Sequence, residues 1–269
     1  MVKHFAGKVA VITGGASGIG RATALALARA GVHIAIADVN EERLAATAAE
    51  LRSSGVKAIA IPCDVGRPEE IVELRRQTLD QLGRVDILMN NAGILPIGDF
   101  ENTPMSEWEL VFRVNFLSVV SGVQTFLPDL AATGDAHIVN TASLAATFAY
   151  EPGTLAYNAS KAAVLSLSEG LALALEPKGI GVTCLIPGPV ATNIVEQIRP
   201  SGPIGQLAPY ATSHFATRTA EEVGMMVLEA IRDRRFFLPT NENVYDVLTE
   251  RARQPEQFLN DMKAFLAAN

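Results

Sequence analysis

Short apolar runs rich in Val and Ile recur along this chain, and most are followed by a longer stretch with helical spacing. The runs are KVAVIT (8–13), HIAIAD (33–38), KAIAIPCD (57–64), DILMNNAG (86–93), HIVNTAS (137–143), GVTCLIPG (181–188) and RFFLPT (235–240). Continuous apolar runs are what strands look like when both of their faces are covered. Strand–helix alternation then implies an α/β fold: one doubly wound parallel sheet with helices on both faces and right-handed crossovers. Helices are expected from the first glycine turn to Arg29, from about Glu41, from about Pro68, from about Ser106 to Phe126, from about Leu155 to Leu175, and near 219–233. A length of 269 residues fits a single domain spanning 1–269.

Two segments stand outside the alternation. Residues 189–218 are rich in Pro, Gly, Ser and Thr, yet carry Val190, Ile194, Val195, Ile198, Ile204, Leu207 and Tyr210. A connection that long is expected to be a substrate-binding loop. Residues 241–269 read as a C-terminal helical tail with no packing partner evident in the sequence.

Composition narrows the function classes. Charged residues are 19% and the apolar set 49%, which describes a folded protein. A formal charge of −7 argues against nucleic-acid binding, which needs a basic face. It leaves phosphate ligands open, because backbone amides bind phosphate without Lys or Arg. His4, His33, His137 and His214 are scattered and show no metal-ligand spacing, so no metal site is expected. Cys63 and Cys184 lie in apolar stretches and read as buried thiols. The start of the chain lacks the form of a signal peptide, and no uninterrupted apolar run approaches about 18 residues. A cytoplasmic protein with no membrane partner is the expectation.

The first strand ends in TGGASGIG (13–20) and runs straight into a helix. Gly14 permits a tight turn, Gly18 lets backbone approach a phosphate, and Gly20 lets the helix sit close to the sheet. The helix N-terminus offers free N–H groups and partial positive charge to a pyrophosphate. The second strand ends at Asp38, where a carboxylate can accept hydrogen bonds from both ribose hydroxyls and repel a 2′-phosphate. Val39 follows and Ser17 stands in the glycine loop, so no basic residue adjoins the acid. NAD is therefore expected over NADP. Asn40 is placed to cap the next helix, which leaves Asp38 for the ligand.

Further along, YNASK (157–161) sets Tyr157 and Lys161 four apart, on one face of a helix. A tyrosine of ordinary pKa, about 10, is a poor base at neutral pH. A nearby ammonium favours phenolate. The spacing thus suits a proton-transfer pair.

Together with NNAG (90–93), Ser143 and PGPVAT (187–192), these motifs resemble the short-chain dehydrogenase/reductase (SDR) family in the right order over about residues 5–240. The resemblance implies a Rossmann-like sheet of seven parallel strands and NAD(P)-dependent interconversion of alcohols and carbonyls. It implies a tetrad of Asn115, Ser143, Tyr157 and Lys161, with Asn115 holding a water through its main-chain carbonyl. For the cofactor it implies Thr13, Gly14, Ser17, Gly18, Ile19, Gly20 and Asp38 at the adenosine and phosphate end, with Asp64 and Val65 beside adenine. Asn91, Ala92 and Gly93 would lie under the ribose. Pro187, Gly188, Val190 and Thr192, with Tyr157 and Lys161, would hold the nicotinamide end. The Ser143–Tyr157 interval is slightly longer than the family's commonest, with Pro152 and Gly153 inside it, which puts the shape of the substrate loop in question.

Leu95, Ala145, Phe148, Tyr150 and the 189–218 loop are expected to shape the substrate pocket. They are mostly apolar, with Arg199 the exception. A neutral secondary alcohol or ketone with an apolar or aromatic body is expected. A looser likeness runs to the subgroup that includes Cα-dehydrogenases of lignin-derived aryl ethers. Family members are usually homo-oligomers, dimers or tetramers, joined here through 106–126 and 155–175. The competing readings are an epimerase or dehydratase, whose extended relatives carry a larger C-terminal domain, and a dinucleotide-binding scaffold or sensor without turnover.

Overall fold

The computed structural model describes residues 4–192, 198–200 and 210–268. Seven strands form one parallel sheet: β1 (Val9–Thr13), β2 (His33–Asp38), β3 (Ala58–Pro62), β4 (Ile87–Asn90), β5 (Ala136–Thr141), β6 (Ile180–Ile186) and β7 (Phe237–Pro239). Their spatial order is β3-β2-β1-β4-β5-β6-β7. The order reverses between β1 and β4, so the carboxyl ends of those strands open a crevice, where ligands of open α/β sheets bind. The helices are α1 (Gly18–Arg29), α2 (Glu41–Ser53), α3 (Pro68–Leu82), α4 (Met105–Phe112), α5 (Ser118–Thr133), α6 (Leu155–Leu175), α7 (Tyr210–His214), α8 (Ala220–Asp233), α9 (Val244–Arg253) and α10 (Pro255–Ala268).

Every residue of β1 and β5 is buried, as the continuous apolar runs require. Two apolar clusters, one on each face, hold the helices to the sheet. One joins Ile12, Ile34 and Ile36 to Leu27, Val223 and Val227; the other joins Val11, Leu88 and Ile138 to Leu74, Phe126 and Leu130. Local signals end the helices where expected. Asn40 Oδ1 accepts from the Arg43 amide at 3.0 Å and starts α2. Thr219 and Glu222 form a capping box at α8. Gly83 and Gly134 close α3 and α5 in the left-handed region.

The expected helix from Ser106 to Phe126 differs in two ways. It runs from Met105 to Thr133 and is interrupted at Arg113–Leu117 by a π-wound turn, where the Ser118 amide reaches back to the Arg113 carbonyl. Pro128 lies inside α5 without ending it. Leu130, fully buried beyond the proline, offsets the lost backbone bond. By length and mean hydropathy (1.5) this composite helix would pass for a membrane span. Here α5 packs against α3, β4 and β5.

The connections also carry more order than the sequence suggested. Leu95–Ile97, expected as loop, pairs in parallel with Ile198–Pro200. Val190–Ala191 pairs with Arg218–Thr219, and α7 lies between. The 189–218 segment is therefore pinned at both ends. Residues 193–197 and 201–209, including Ile194, Val195, Ile204 and Leu207, lie outside the described residues, as do the side chains of Ile198, Arg199 and Tyr210. The tail does find a partner: Val244, Phe258 and Met262 pack with Leu144, Phe148 and Phe215. It closes over the segment that follows Ser143.

Candidate active site

A cleft opens at the reversal point. Its walls include Gly14, Ser17, Gly18 and Ile19 from the β1–α1 turn, and Asn91, Ala92, Gly93 and Ile94 after β4. Thr141, Ala142 and Ser143 follow β5; Tyr157 and Lys161 come from α6; Pro187, Gly188, Val190 and Thr192 follow β6. Thr13, Gly20, Asp38, Asp64, Val65 and Asn115 lie behind or beside these walls.

The glycine turn is built by close approach. Gly14 has φ +64°, and a Cβ at Gly20 would fall 2.2 Å from the Gly14 carbonyl oxygen. No side chain larger than hydrogen fits at 20 while α1 starts here. The Ser17 side chain makes no capping bond to α1, so the first amides of that helix face the cleft unclaimed by it. Thr13 Oγ1 accepts from the Asn91 and Ala92 amides at 3.0 and 3.2 Å. Asn91 Nδ2 donates to the Thr13 and Gly14 carbonyls. These bonds lock the two strand ends together.

Asp38 turns back toward that loop. One carboxylate oxygen accepts from the Ala16 amide at 3.2 Å and the other from the Asn40 amide at 3.0 Å. Asp64 accepts from the Gly66 amide at 2.9 Å, with Val65 buried beside it.

At the other end, Ser143 stands just past β5 and lines the cleft with Tyr157, its hydroxyl pulling the phenol's pKa down. Its Oγ also accepts from the Ala145 amide at 3.2 Å. The residues in the longer Ser143–Tyr157 interval form a tight turn, Pro152–Thr154, tied down where the Gly98 amide donates to the Gly153 carbonyl at 2.9 Å. The extra length is absorbed there, and the serine–tyrosine contact is kept.

Lys161 is buried, and its Nζ donates to the Thr141 carbonyl at 2.8 Å while lying 5.7 Å from the Tyr157 ring centroid. Burial lowers the lysine to about 8; the neighbouring Cys184 opposes this weakly. The expected lowering of the phenol pKa is not found in the protein by itself. Burial pushes Tyr157 above the ordinary tyrosine value, and the Ser143 hydroxyl is the opposing pull. The ammonium gives one of its three N–H groups to Thr141 and lies 5.7 Å from the ring centroid, and it is not among the groups that shift the phenol.

The Asn115 side chain is fully engaged. Oδ1 accepts from the Ile94 amide at 2.8 Å, and Nδ2 donates to the Ile94 carbonyl at 3.0 Å and to Ser160 Oγ at 3.1 Å. Ser160 in turn donates to the Tyr157 carbonyl at 2.7 Å. What the π-wound turn has left to offer a water is main chain. Sequence reasoning passed over Ser160 and Thr141. Ser160 stands inside YNASK, and Thr141 ends a strand at the crevice; those positions were the available signals.

Among the substrate candidates, Tyr150 stacks edge-on against Phe148 with centroids 5.7 Å apart, and Phe148 stacks on Phe258 of α10 at 5.5 Å. Phe148 and Ala145 are buried; Leu95 and Tyr150 are half-buried. Burial raises the Tyr150 phenol, and the nearby Tyr157 adds to that rise. Tyr150 thus stands near Tyr157, and Phe148 packs against it. None of the four touches the cleft described above.

A glycine turn, a half-buried tyrosine beside a buried lysine and serine at one cleft, and a parallel sheet reversing at that crevice define a dinucleotide-dependent oxidoreductase. A family model described as short chain dehydrogenase matches residues 8–202, and the chain belongs to that family. It is 36% identical over 258 residues to 1-deoxy-11-beta-hydroxypentalenate dehydrogenase of Streptomyces exfoliatus, covering 95% of this chain and 88% of the relative. It is 34% identical over 200 residues to 2,5-dichloro-2,5-cyclohexadiene-1,4-diol dehydrogenase LinX of Sphingobium indicum, covering 74% and 80%. Among solved structures it resembles a short chain dehydrogenase/reductase from Burkholderia phymatum in complex with NAD, with TM-score 0.85, 35% identity, and 94% and 96% covered.

Proposed function

We propose that this chain is an NAD-dependent oxidoreductase that interconverts a secondary alcohol and its ketone. The observation that carries the reading is the convergence of Ser143, Tyr157 and Lys161 on a cleft that begins at the α1 N-terminus. The glycine turn and first amides of α1 fit a pyrophosphate, Asp38 fits a ribose diol, and the 187–192 segment fits the nicotinamide end. The dinucleotide, when bound, supplies hydride transfer and, in its oxidised form, a positive charge near the phenol. Tyr157 then takes the carbinol proton, Ser143 turns its one hydroxyl proton from the phenol to the reacting oxygen, and the Lys161 ammonium over the ring adds a weak supporting charge. An adjoining cation is what the phenol needs, because burial alone favours its neutral form. A main-chain carbonyl of the Asn115 turn would hold a water that passes the proton outward.

Specificity for NAD rests on Asp38, whose carboxylate is held in place by two amides beside an exposed Val39. For the substrate, Lys161 is the one charged group among the described residues lining the cleft. That favours a neutral carbinol with an apolar ring. Beyond the cleft itself, Leu95, Tyr150 and the 189–218 loop would extend the wall, with Ala145 and Phe148 buried behind them. The two relatives named above act, by their names, on a hydroxylated carboxylate and on a cyclohexadiene diol, and an aryl-ether carbinol of the lignin type is a further candidate.

The test is NADH formation with a panel of cyclic and aryl secondary alcohols against small polyols. Cyclic or aryl turnover is expected, and Tyr157→Phe should lower it by about 10²–10⁴-fold while NADH binding stays nearly intact. Binding without turnover by the unaltered chain would favour a sensor instead.

The outer face of α6 presents Ala162, Gly170 and Leu173 to solvent, with Leu173 79% exposed. Small residues beside an exposed leucine suit packing against a second copy, so a dimer or tetramer is the assembly favoured; a monomer mass by light scattering would remove it. Both cysteines are free and buried, in keeping with the cytoplasm.

A further inference from the structure

Behind the 187–190 segment lies a buried polar relay that the tetrad does not include. Thr240 follows β7 and is 1% exposed; Asn241 is 4% exposed. The Gly188 amide donates to Thr240 Oγ1 at 2.9 Å, and Thr240 Oγ1 donates to Asn241 Oδ1 at 3.1 Å. A hydroxyl has one proton, so accepting from Gly188 and donating to Asn241 fixes its orientation. Asn241 Nδ2 donates to the Ala216 carbonyl at 2.9 Å. Arg218 completes the frame: its Nε donates to the Thr240 carbonyl at 3.1 Å and its amide to the Pro189 carbonyl at 3.0 Å. From the opposite side, the Leu144 amide donates to the Pro187 carbonyl at 2.8 Å.

The fit is close. A Cβ on Gly188 would fall 2.7 Å from Asn241 Oδ1. Neither Thr240 nor Asn241 lines the cleft, so both act on it only through the backbone of 188. None of the bonds of the relay reaches the glycine turn or Asp38, which lie on the other side of β4.

Resting on the dinucleotide reading above, we infer that Thr240 and Asn241 are positioning residues. They set the orientation of the Pro187–Gly188 peptide, and hence the grip on the nicotinamide end, with no part in adenosine binding. Losing the hydroxyl leaves a buried amide and a buried amide oxygen unpaired, and the turn relaxes away from its seat.

The experiment compares two ligands on the full-length chain: NADH, and ADP-ribose, which lacks the nicotinamide. Thr240→Val should weaken NADH about tenfold while changing ADP-ribose by less than about twofold. Thr240→Ser, which restores the hydroxyl, should return NADH to within about twofold of the parent. Asn241→Ala, read by the same ratio, decides the matter if Thr240→Val does not fold. A merely structural role would move both ligands together, and that outcome, or an unchanged NADH affinity in the folded variant, overturns the inference. A parent chain that binds neither ligand overturns the dinucleotide reading and this inference with it. A parent that binds both, with variants that match it, overturns this inference alone.

Discussion

The cleft has two ends built by different means. At the phosphate end the shape is set by backbone: Gly14 with φ +64°, Gly20 against a carbonyl, and strand ends tied by Thr13 and Asn91. At the substrate end the shape is set by side chains brought from far along the chain. Tyr150 leans on Phe148, which leans on Phe258, more than 100 residues later. A backbone-built site tolerates few residue types at each position, because hydrogen versus methyl decides whether it closes. A site built from packed side chains tolerates many, because any apolar group of suitable volume fills the space. On the function proposed above, the first end would hold the ligand part that never varies, and the second the part that defines specificity.

Substituting one residue at each end should separate them. The larger effect belongs to Gly20→Ala. Its methyl would meet the Gly14 carbonyl at 2.2 Å, so the turn or the helix must move. NADH and ADP-ribose should both weaken by about 100-fold or more, about 2.7 kcal/mol, since the phosphate seat itself shifts. Near-parent affinity for ADP-ribose would show that the turn is not the phosphate seat.

At the other end, Phe258→Ala removes the ring that backs Phe148. Loss of a mostly buried Phe should lower stability by about 3 kcal/mol. KM for a ring-bearing alcohol should rise severalfold in the folded variant, while NADH affinity stays near the parent value. A variant whose NADH affinity falls as far as its substrate affinity would mean that the tail supports the whole cleft and that the two ends are not separable.

The same contrast explains what could be read in advance. Sheet class, helix starts at Glu41, Pro68 and Leu155, and the glycine turn follow from local rules: apolar runs, caps, and glycine where a side chain cannot go; most of the other residues proposed for the cofactor come from the family resemblance. Seating of α9 and α10 on Leu144 and Phe148 was not readable, since nothing near Phe258 marks which surface it covers. Nor was the pairing of Leu95–Ile97 with Ile198–Pro200, a contact between two short segments about 100 residues apart. The π-wound turn at Asn115 is of the same kind. Asn115 within it is tied to Ile94 and Ser160, contacts that depend on the assembled fold. The phenol's raised pKa likewise needed coordinates, because i+4 spacing fixes a helix face but not where an ammonium points.

The smallest expected effect lies away from both ends, in β5 itself. His137 is fully buried at the amino end of β5, the end away from Ser143. Thr183 Oγ1 donates to the Arg235 carbonyl at 2.6 Å, so it must accept from His137 Nε2, 2.8 Å away. The lone pair is thus on Nδ1, which is buried and has no hydrogen-bond partner. Desolvation first, and the Arg234 charge second, push this histidine down from 6.5 to about 3; Asp135 opposes them. The native state keeps it neutral in that window, whereas the unfolded chain takes up a proton below about pH 6.5. Native stability therefore stays full above about 6.5 and falls as pH drops toward 3, by up to about 1.4 kcal/mol per pH unit from this one group. His137→Gln can still donate to Thr183 but cannot take the proton. Urea midpoints measured at pH 7.5 and 5 should drop further for the parent than for the variant, and the ratio of NADH to substrate affinity should stay the same in both. Equal drops would show that the histidine is protonated within the native sheet. A change confined to one ligand would show that the strand carries strain from its far end to one end of the cleft, and the two ends would then share more than a wall.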